Sequence, residues 1–153
     1  MAKNFYDQDF QLGILGGGQL GKMFIQSCAD LHVKTHVLDK DKSVPAAGIC
    51  DHFMEGDFKD YEDVLALGDK VDLVTIEIEH VNLQALYELV ERGIPVYPQP
   101  EVLEIIQDKG KQKDFYHDFN IPTADYKLVT NQQGIYENRD FLPAFQKSRS
   151  AGY

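Results

Sequence analysis

Tryptophan is absent from this chain of 153 residues, cysteine occurs only twice, and 15 lysines and arginines face 25 aspartates and glutamates. Each shortage excludes something. Two cysteines, Cys28 and Cys50, cannot build a disulfide framework or a four-ligand zinc site, so a reduced, cytoplasmic setting is expected. A formal net charge of -10 leaves no broad positive field for nucleic acid or an acidic membrane surface, so any phosphate must be held locally. No apolar run approaches the ~18 residues that cross a bilayer. The opening MAKNFYDQDF is polar, so neither a signal peptide nor an anchor is expected.

What the chain does have is glycine in a telling place. Residues 12–23 read LGILGGGQLGKM: an apolar run, then Gly16, Gly17, Gly18 and Gly21 around Gln19 and Leu20, then an amphipathic stretch. Without Cβ atoms such a turn can take left-handed angles and admit a ligand close to the backbone, while the first N–H groups of the following helix point at an arriving anion. The spacing Gly16-x-Gly18-x-x-Gly21 also fits the dinucleotide fingerprint, although by itself that match is weak.

Strand and helix signals then alternate. Strands are expected at 11–15, 33–39, 52–54, 72–79 and 95–97. Leu20, Met23, Phe24, Ser27 or Cys28, and Leu31 keep helical spacing and predict one buried stripe; a second helix is expected at 61–67, and Leu83, Leu86, Tyr87 and Val90 mark a third before Gly93. Residues 1–100 therefore predict an α/β domain, a Rossmann-like parallel sheet with helices on both faces. Ligands of such sheets bind beyond the carboxyl ends of the strands, which gathers the glycine turn, Asp39 and the pair Glu77 and Glu79 on one rim. Asp39 stands about 20 residues past the glycines, where a dinucleotide fold holds a ribose, with Asp41 as the competing acid. Glu77 and Glu79, two apart on the expected strand, would share one face about 7 Å apart, turned either to the ligand rim or simply to water.

After Pro100 the pattern changes. Val102, Leu103 and Ile106 mark one helix and Phe115, Tyr116 and Phe119 another, separated by the basic stretch KGKQK at 109–113. Residues 124–129 and 142–147 read as strands around a polar segment containing Gly134 and Asn138, and the chain reaches SAGY, the opening of a glycine loop. Lys147, on the second of these strands, could clamp a phosphate or simply guard an edge. The five histidines show no ligand spacing and read as surface or turn residues. No catalytic residue and no metal site is expected within these residues.

Taken together, GGGQLGKM at 16–23, VLDKD at 37–41, VTIEIEHVN at 74–82, QDKGKQK at 107–113, NIPTADY at 120–126 and QKSRSAGY at 146–153 resemble the N5-carboxyaminoimidazole ribonucleotide synthetase family. These are ATP-grasp ligases of purine biosynthesis. The resemblance implies that 1–100 is a pre-ATP-grasp substrate domain and 101–153 connecting helices and the beginning of an ATP-grasp domain. It implies ATP-dependent carboxylation of 5-aminoimidazole ribonucleotide with bicarbonate through carboxyphosphate, with Mg²⁺ held by carboxylates outside this sequence. Gly18, Gln19 and Leu20 would meet the ribose phosphate, Glu79, or less favourably Glu77, the aminoimidazole, and Lys109, Lys147, Gly152 and Tyr153 the ATP. A cytoplasmic homodimer is implied, and the chain is expected to be an amino-terminal fragment, inactive alone. Two other readings stay open: formate-dependent glycinamide ribonucleotide transformylase, and an NAD- or ATP-sensing regulatory domain in which Asp39 binds the ribose.

Overall fold

The computed structural model describes residues 7–150, so Gly152 and Tyr153 lie outside the described residues. The chain divides into two units, Met1–Leu103 and Glu104–Tyr153.

In the first unit, β1 (Gln11–Leu15), β2 (Lys34–Asp39), β3 (His52–Glu55), β4 (Leu73–Ile76) and β5 (Val96–Tyr97) form one sheet in the order β3-β2-β1-β4-β5. Every pairing is parallel. The helices are α1 (Gln19–Asp30), α2 (Tyr61–Gly68), α3 (Leu83–Glu91) and α4 (Pro100–Gln107), the last contributing Leu103 to this unit's core. This is the expected α/β architecture. From β1 the chain builds outward through β2 and β3, then returns to the other side of β1 for β4 and β5. The switch point lies between β1 and β4, and sheets of this kind take their ligands in the crevice beyond the carboxyl ends of such strands. Register sets the rim: Leu15 pairs with both Leu38 and Ile76, so β1 and β4 end level and β2 runs one residue further, to Asp39.

Alternation along the strands builds two cores, one per face. Leu12, Ile14 and Val37 pack with Ile25, Cys28 and Ala46, whereas Leu15, Leu38 and Val74 pack with Val64, Leu67, Leu86 and Leu89. Each fully buried leucine or isoleucine contributes roughly 1.5–3 kcal/mol. The Asp60 carboxylate caps α2 by accepting the N–H groups of Glu62 and Asp63, and Asn82 caps α3 by accepting that of Ala85. Cys28 and Cys50 are free thiols, both raised above the ordinary thiol range by burial.

The buried stripe of α1 differs from the expected one. The helix seats Gly21, Ile25 and Cys28 on the sheet, and leaves Leu20, Met23, Phe24 and Leu31 exposed, at 65%, 60%, 43% and 72%. Apolar periodicity picks out the larger residues; close approach of the helix start to the glycine turn requires the smaller face. His36 departs from the surface reading: it is half-buried on β2, its Nε2 2.7 Å from Gln11 Oε1, whereas His52 opposite it on β3 is exposed as expected, the ring centroids 4.4 Å apart.

The second unit holds α5 (Lys109–Asp118), α6 (Gln132–Glu137) and a 3-10 turn (Arg139–Phe141). The basic stretch KGKQK does not separate helices; it forms the first half of α5. The expected strands at 124–129 and 142–147 do not form, and the polar segment between them is helical, with Asn131 accepting the Gly134 N–H at 2.9 Å. Among the described residues neither segment has a neighbouring strand, and a strand without one leaves its backbone groups to water.

Candidate functional site

The glycine turn leaves β1 at the switch point. Gly16 has φ +102°, a backbone conformation that side chains disfavour, and its N–H donates to the Leu38 carbonyl at 3.1 Å. The Gly17 N–H donates to Asp39 Oδ2 at 2.7 Å, and the Gly17 carbonyl accepts the Ala46 N–H at 3.0 Å. Gly18, extended at φ -66°, is the N-cap of α1, and no side chain caps that end. A Cβ on Gly21 would stand 2.8 Å from the Gly16 carbonyl oxygen, so the helix begins pressed against its own turn. The result is a fixed backbone loop leading into a helix start free of side-chain caps, the arrangement that accepts an anion.

Across the turn lies Glu77. β4 stops at Ile76, so Glu77 and Glu79 occupy the bend after the strand rather than one strand face. The Glu77 N–H donates to the Leu15 carbonyl at 2.9 Å. Its side chain reaches over the glycines: a Cβ on Gly16 would lie 2.7 Å from Glu77 Oε2, and one on Gly18 3.4 Å from Oε1. Burial, followed by the nearby carboxylates of Asp39 and Glu79, pushes the Glu77 carboxyl above the usual glutamate range. Glu79 is turned toward His80, whose Nδ1 is 3.8 Å from Glu79 Oε1, and that buried nitrogen has no hydrogen-bond partner among the described residues. The crevice thus has two poles: backbone donors at the start of α1, and a carboxylate seated over Gly16 and Gly18.

In the second unit Lys109 is the first residue of α5 and its N–H donates to the Arg149 carbonyl at 2.9 Å. Its neighbours in the basic run have internal duties. Lys111 pairs with Glu104, while Lys113 bonds Thr123 Oγ1 and, at 3.1 Å, the Ala124 carbonyl, with its ammonium 5.7 Å from the centre of the Tyr126 ring. Lys147 is exposed and lies on irregular chain, not on the expected strand.

Comparison with known proteins decides what this geometry belongs to. Residues 10–107 match the family described as the ribonucleotide synthetase pre-ATP-grasp domain. The chain belongs to that family. The phosphoribosylaminoimidazole carboxylase of Candida albicans is 43% identical over 93% of this chain and 26% of its own length. The crystal structure of N5-carboxyaminoimidazole ribonucleotide synthetase from Thermotoga maritima superposes with a TM-score of 0.85 at 37% identity, covering 94% of this chain and 39% of that one. N5-carboxyaminoimidazole synthase from Aspergillus clavatus, solved with ADP and 5-aminoimidazole ribonucleotide, gives 0.79 at 35% identity, over 89% of this chain and 37% of that one. The chain therefore spans about a quarter to two fifths of the length of these relatives.

Within this pre-ATP-grasp domain the structure brings Gly18, Gln19 and Leu20 to the start of α1 and Glu77 to the turn beside them. It makes Glu77, rather than Glu79, the carboxylate in contact with the glycines. Asp39 is engaged with Gly17, and Asp41 closes its own turn, accepting the Ser43 N–H and hydroxyl at 2.7 Å each. Residues 44–48 read in the sequence as a turn or short helix and do form a turn, but their part in the site was not legible: they prop Gly17, whose Cβ would lie 2.7 Å from Val44 Cγ2. The meeting of Arg149 with Asp108 escaped sequence reasoning altogether. An Asp immediately before a lysine-rich helix was the available signal for Asp108; nothing in the sequence announced its partner.

Proposed function

We propose that this chain is the substrate-binding part of an ATP-grasp carbon–nitrogen ligase that carboxylates 5-aminoimidazole ribonucleotide with bicarbonate in purine biosynthesis. The observation that carries it is the two-pole crevice. A ribonucleotide with a phosphate at one end and an amine at the other matches backbone donors at Gly18, Gln19 and Leu20 together with a hydrogen-bond-accepting carboxylate at Glu77 or Glu79. The Aspergillus clavatus relative, solved with ADP and this ribonucleotide, supports the choice of ligand.

ATP activates bicarbonate as carboxyphosphate, whose carbon the exocyclic amine attacks as phosphate leaves. Carboxyphosphate is destroyed by water, so the site must close over it. Lys109 and Lys147, with Gly152 and Tyr153 beyond the described residues, are the ATP-side candidates. The carboxylates that would hold Mg²⁺ are placed outside this sequence, on the strength of the family resemblance. A cytoplasmic homodimer completes the proposal; among the described residues no helix is long and apolar enough to cross a membrane.

Steady-state kinetics test the division of labour. The chain by itself should show no bicarbonate-dependent ADP release, and turnover by it would overturn the assignment of the remaining chemistry to parts outside this sequence. In an active enzyme containing it, Gln19→Ala should raise the KM for the ribonucleotide and Lys147→Ala that for ATP; the reverse pattern would refute the placement.

A further inference from the structure

Asp108 has two roles at once. As N-cap of α5 its Oδ1 accepts the N–H groups of Gly110 at 2.8 Å and Lys111 at 3.2 Å, and both its oxygens accept the Arg149 Nε–H, at 2.7 and 2.8 Å. The backbone joins the same segments, because the Lys109 N–H donates to the Arg149 carbonyl at 2.9 Å. The guanidinium lies close over Gly110, where a Cβ would stand 3.0 Å from Arg149 Nε and 3.2 Å from its Cζ. Arg149 therefore grips the first turn of α5 through side chain and main chain together, closing a 41-residue separation.

Stability alone is a poor account of this contact. The Arg149 side chain remains 57% exposed, and exposed ion pairs contribute little to folding. What the pairing does fix is position. Lys109 adjoins Asp108 in sequence, and Lys147 precedes Arg149 by two residues, at most about 7 Å of extended chain. The carboxylate of Asp108 is held below the usual range chiefly by Arg149, so the pair is charged at neutral pH.

We infer that Asp108 and Arg149 form a clasp that holds the segment carrying Lys147 against the turn carrying Lys109, so that both ammonium groups meet one polyphosphate. Arg149 and Asp108 are then positioning residues, acting through the two lysines; the inference rests on the reading of those lysines as nucleotide contacts. A loose segment would have to be ordered at the moment of binding, which weakens affinity without removing any ligand contact.

The test uses this chain, inorganic tripolyphosphate as the probe and amide NMR as the readout. Asp108→Asn keeps an oxygen for the Gly110 and Lys111 N–H groups and removes only the charge pair, while Arg149→Ala removes the other partner. Each should speed hydrogen exchange at the Lys109 amide and weaken tripolyphosphate binding about tenfold, and the double variant should be no worse than either, because both remove one interaction. Arg149→Lys should recover part of the loss, with helix content unchanged throughout. Binding that survives both single substitutions, or losses that add in the double variant, would overturn the clasp alone. Absence of binding by the unaltered chain would overturn the reading of the two lysines and the clasp's role with it.

Discussion

The Asp39 carboxylate accepts the Gly17 backbone N–H at 2.7 Å, so the acid at the end of β2 holds the glycine turn. In a dinucleotide domain an acid at this place grips a ribose. Asp39→Ala should cost about 1.5–3 kcal/mol, the range for a hydrogen bond to a charged group, and lower the urea midpoint. Asp39→Asn, which keeps an acceptor, should lose less. Calorimetric titration of the unaltered chain with NAD should give no binding; tight binding abolished by Asp39→Asn would favour the regulatory-domain reading.

Gly16→Ala forces a side chain onto φ +102° and 2.7 Å from Glu77 Oε2, and a residue held in so sparse a region costs about 1–3 kcal/mol. Gly21→Ala opposes two effects. Alanine in a helix gains about 1 kcal/mol over glycine, but the new Cβ would stand 2.8 Å from a backbone oxygen that cannot swing aside. The clash should win, making Gly21→Ala destabilising in urea unfolding. A stabilised variant would show that the helix start is looser than this geometry.

Glu77 predicts a pH dependence of definite sign. Its carboxyl is raised by burial and by Asp39 and Glu79, so the folded chain binds this proton more tightly than the unfolded chain. Stability therefore falls as pH rises from the ordinary glutamate range through the raised value, and the penalty is fully present above it. Glu77→Gln should be more stable than the unaltered chain at neutral pH and should lose that slope in urea titrations between pH 4 and 8. Identical slopes would place the Glu77 charge elsewhere.

Much of the fold was legible because its signals are local. β1 begins and ends where the apolar run at 11–15 does, and β2, β3 and β5 follow similar runs. What was not legible depends on neighbours distant in sequence. The strand expected at 72–79 ends at Ile76 because the chain turns there to lay Glu77 on the glycines, and α1 turns Leu20, Met23 and Phe24 outward because the turn admits only Gly21. The expected strands at 124–129 and 142–147 have apolar content, but pairing is a property of two segments and no partner lies among the described residues. At the site, residue types and spacing located the glycine turn, whereas the bend that sets Glu77 over Gly16 and Gly18 is one that alternation does not reveal.

Asn82 offers a control away from the crevice. Its Oδ1 accepts the Ala85 N–H at 2.9 Å and its Nδ2 donates to the Lys59 carbonyl at 3.0 Å, so Asn82→Ala should cost about 1 kcal/mol through loss of the α3 cap. Ligand binding at the glycine turn should be unchanged, which separates loss of stability from loss of the site.

The most direct measurement is an amide NMR titration of this chain with 5-aminoimidazole ribonucleotide. The two-pole crevice predicts shifts confined to residues 16–21 and to Glu77 and its neighbours, abolished by Gly16→Ala and absent when NAD is added instead. Shifts with NAD centred on Asp39, or a glycine turn unmoved by the ribonucleotide, would contradict it.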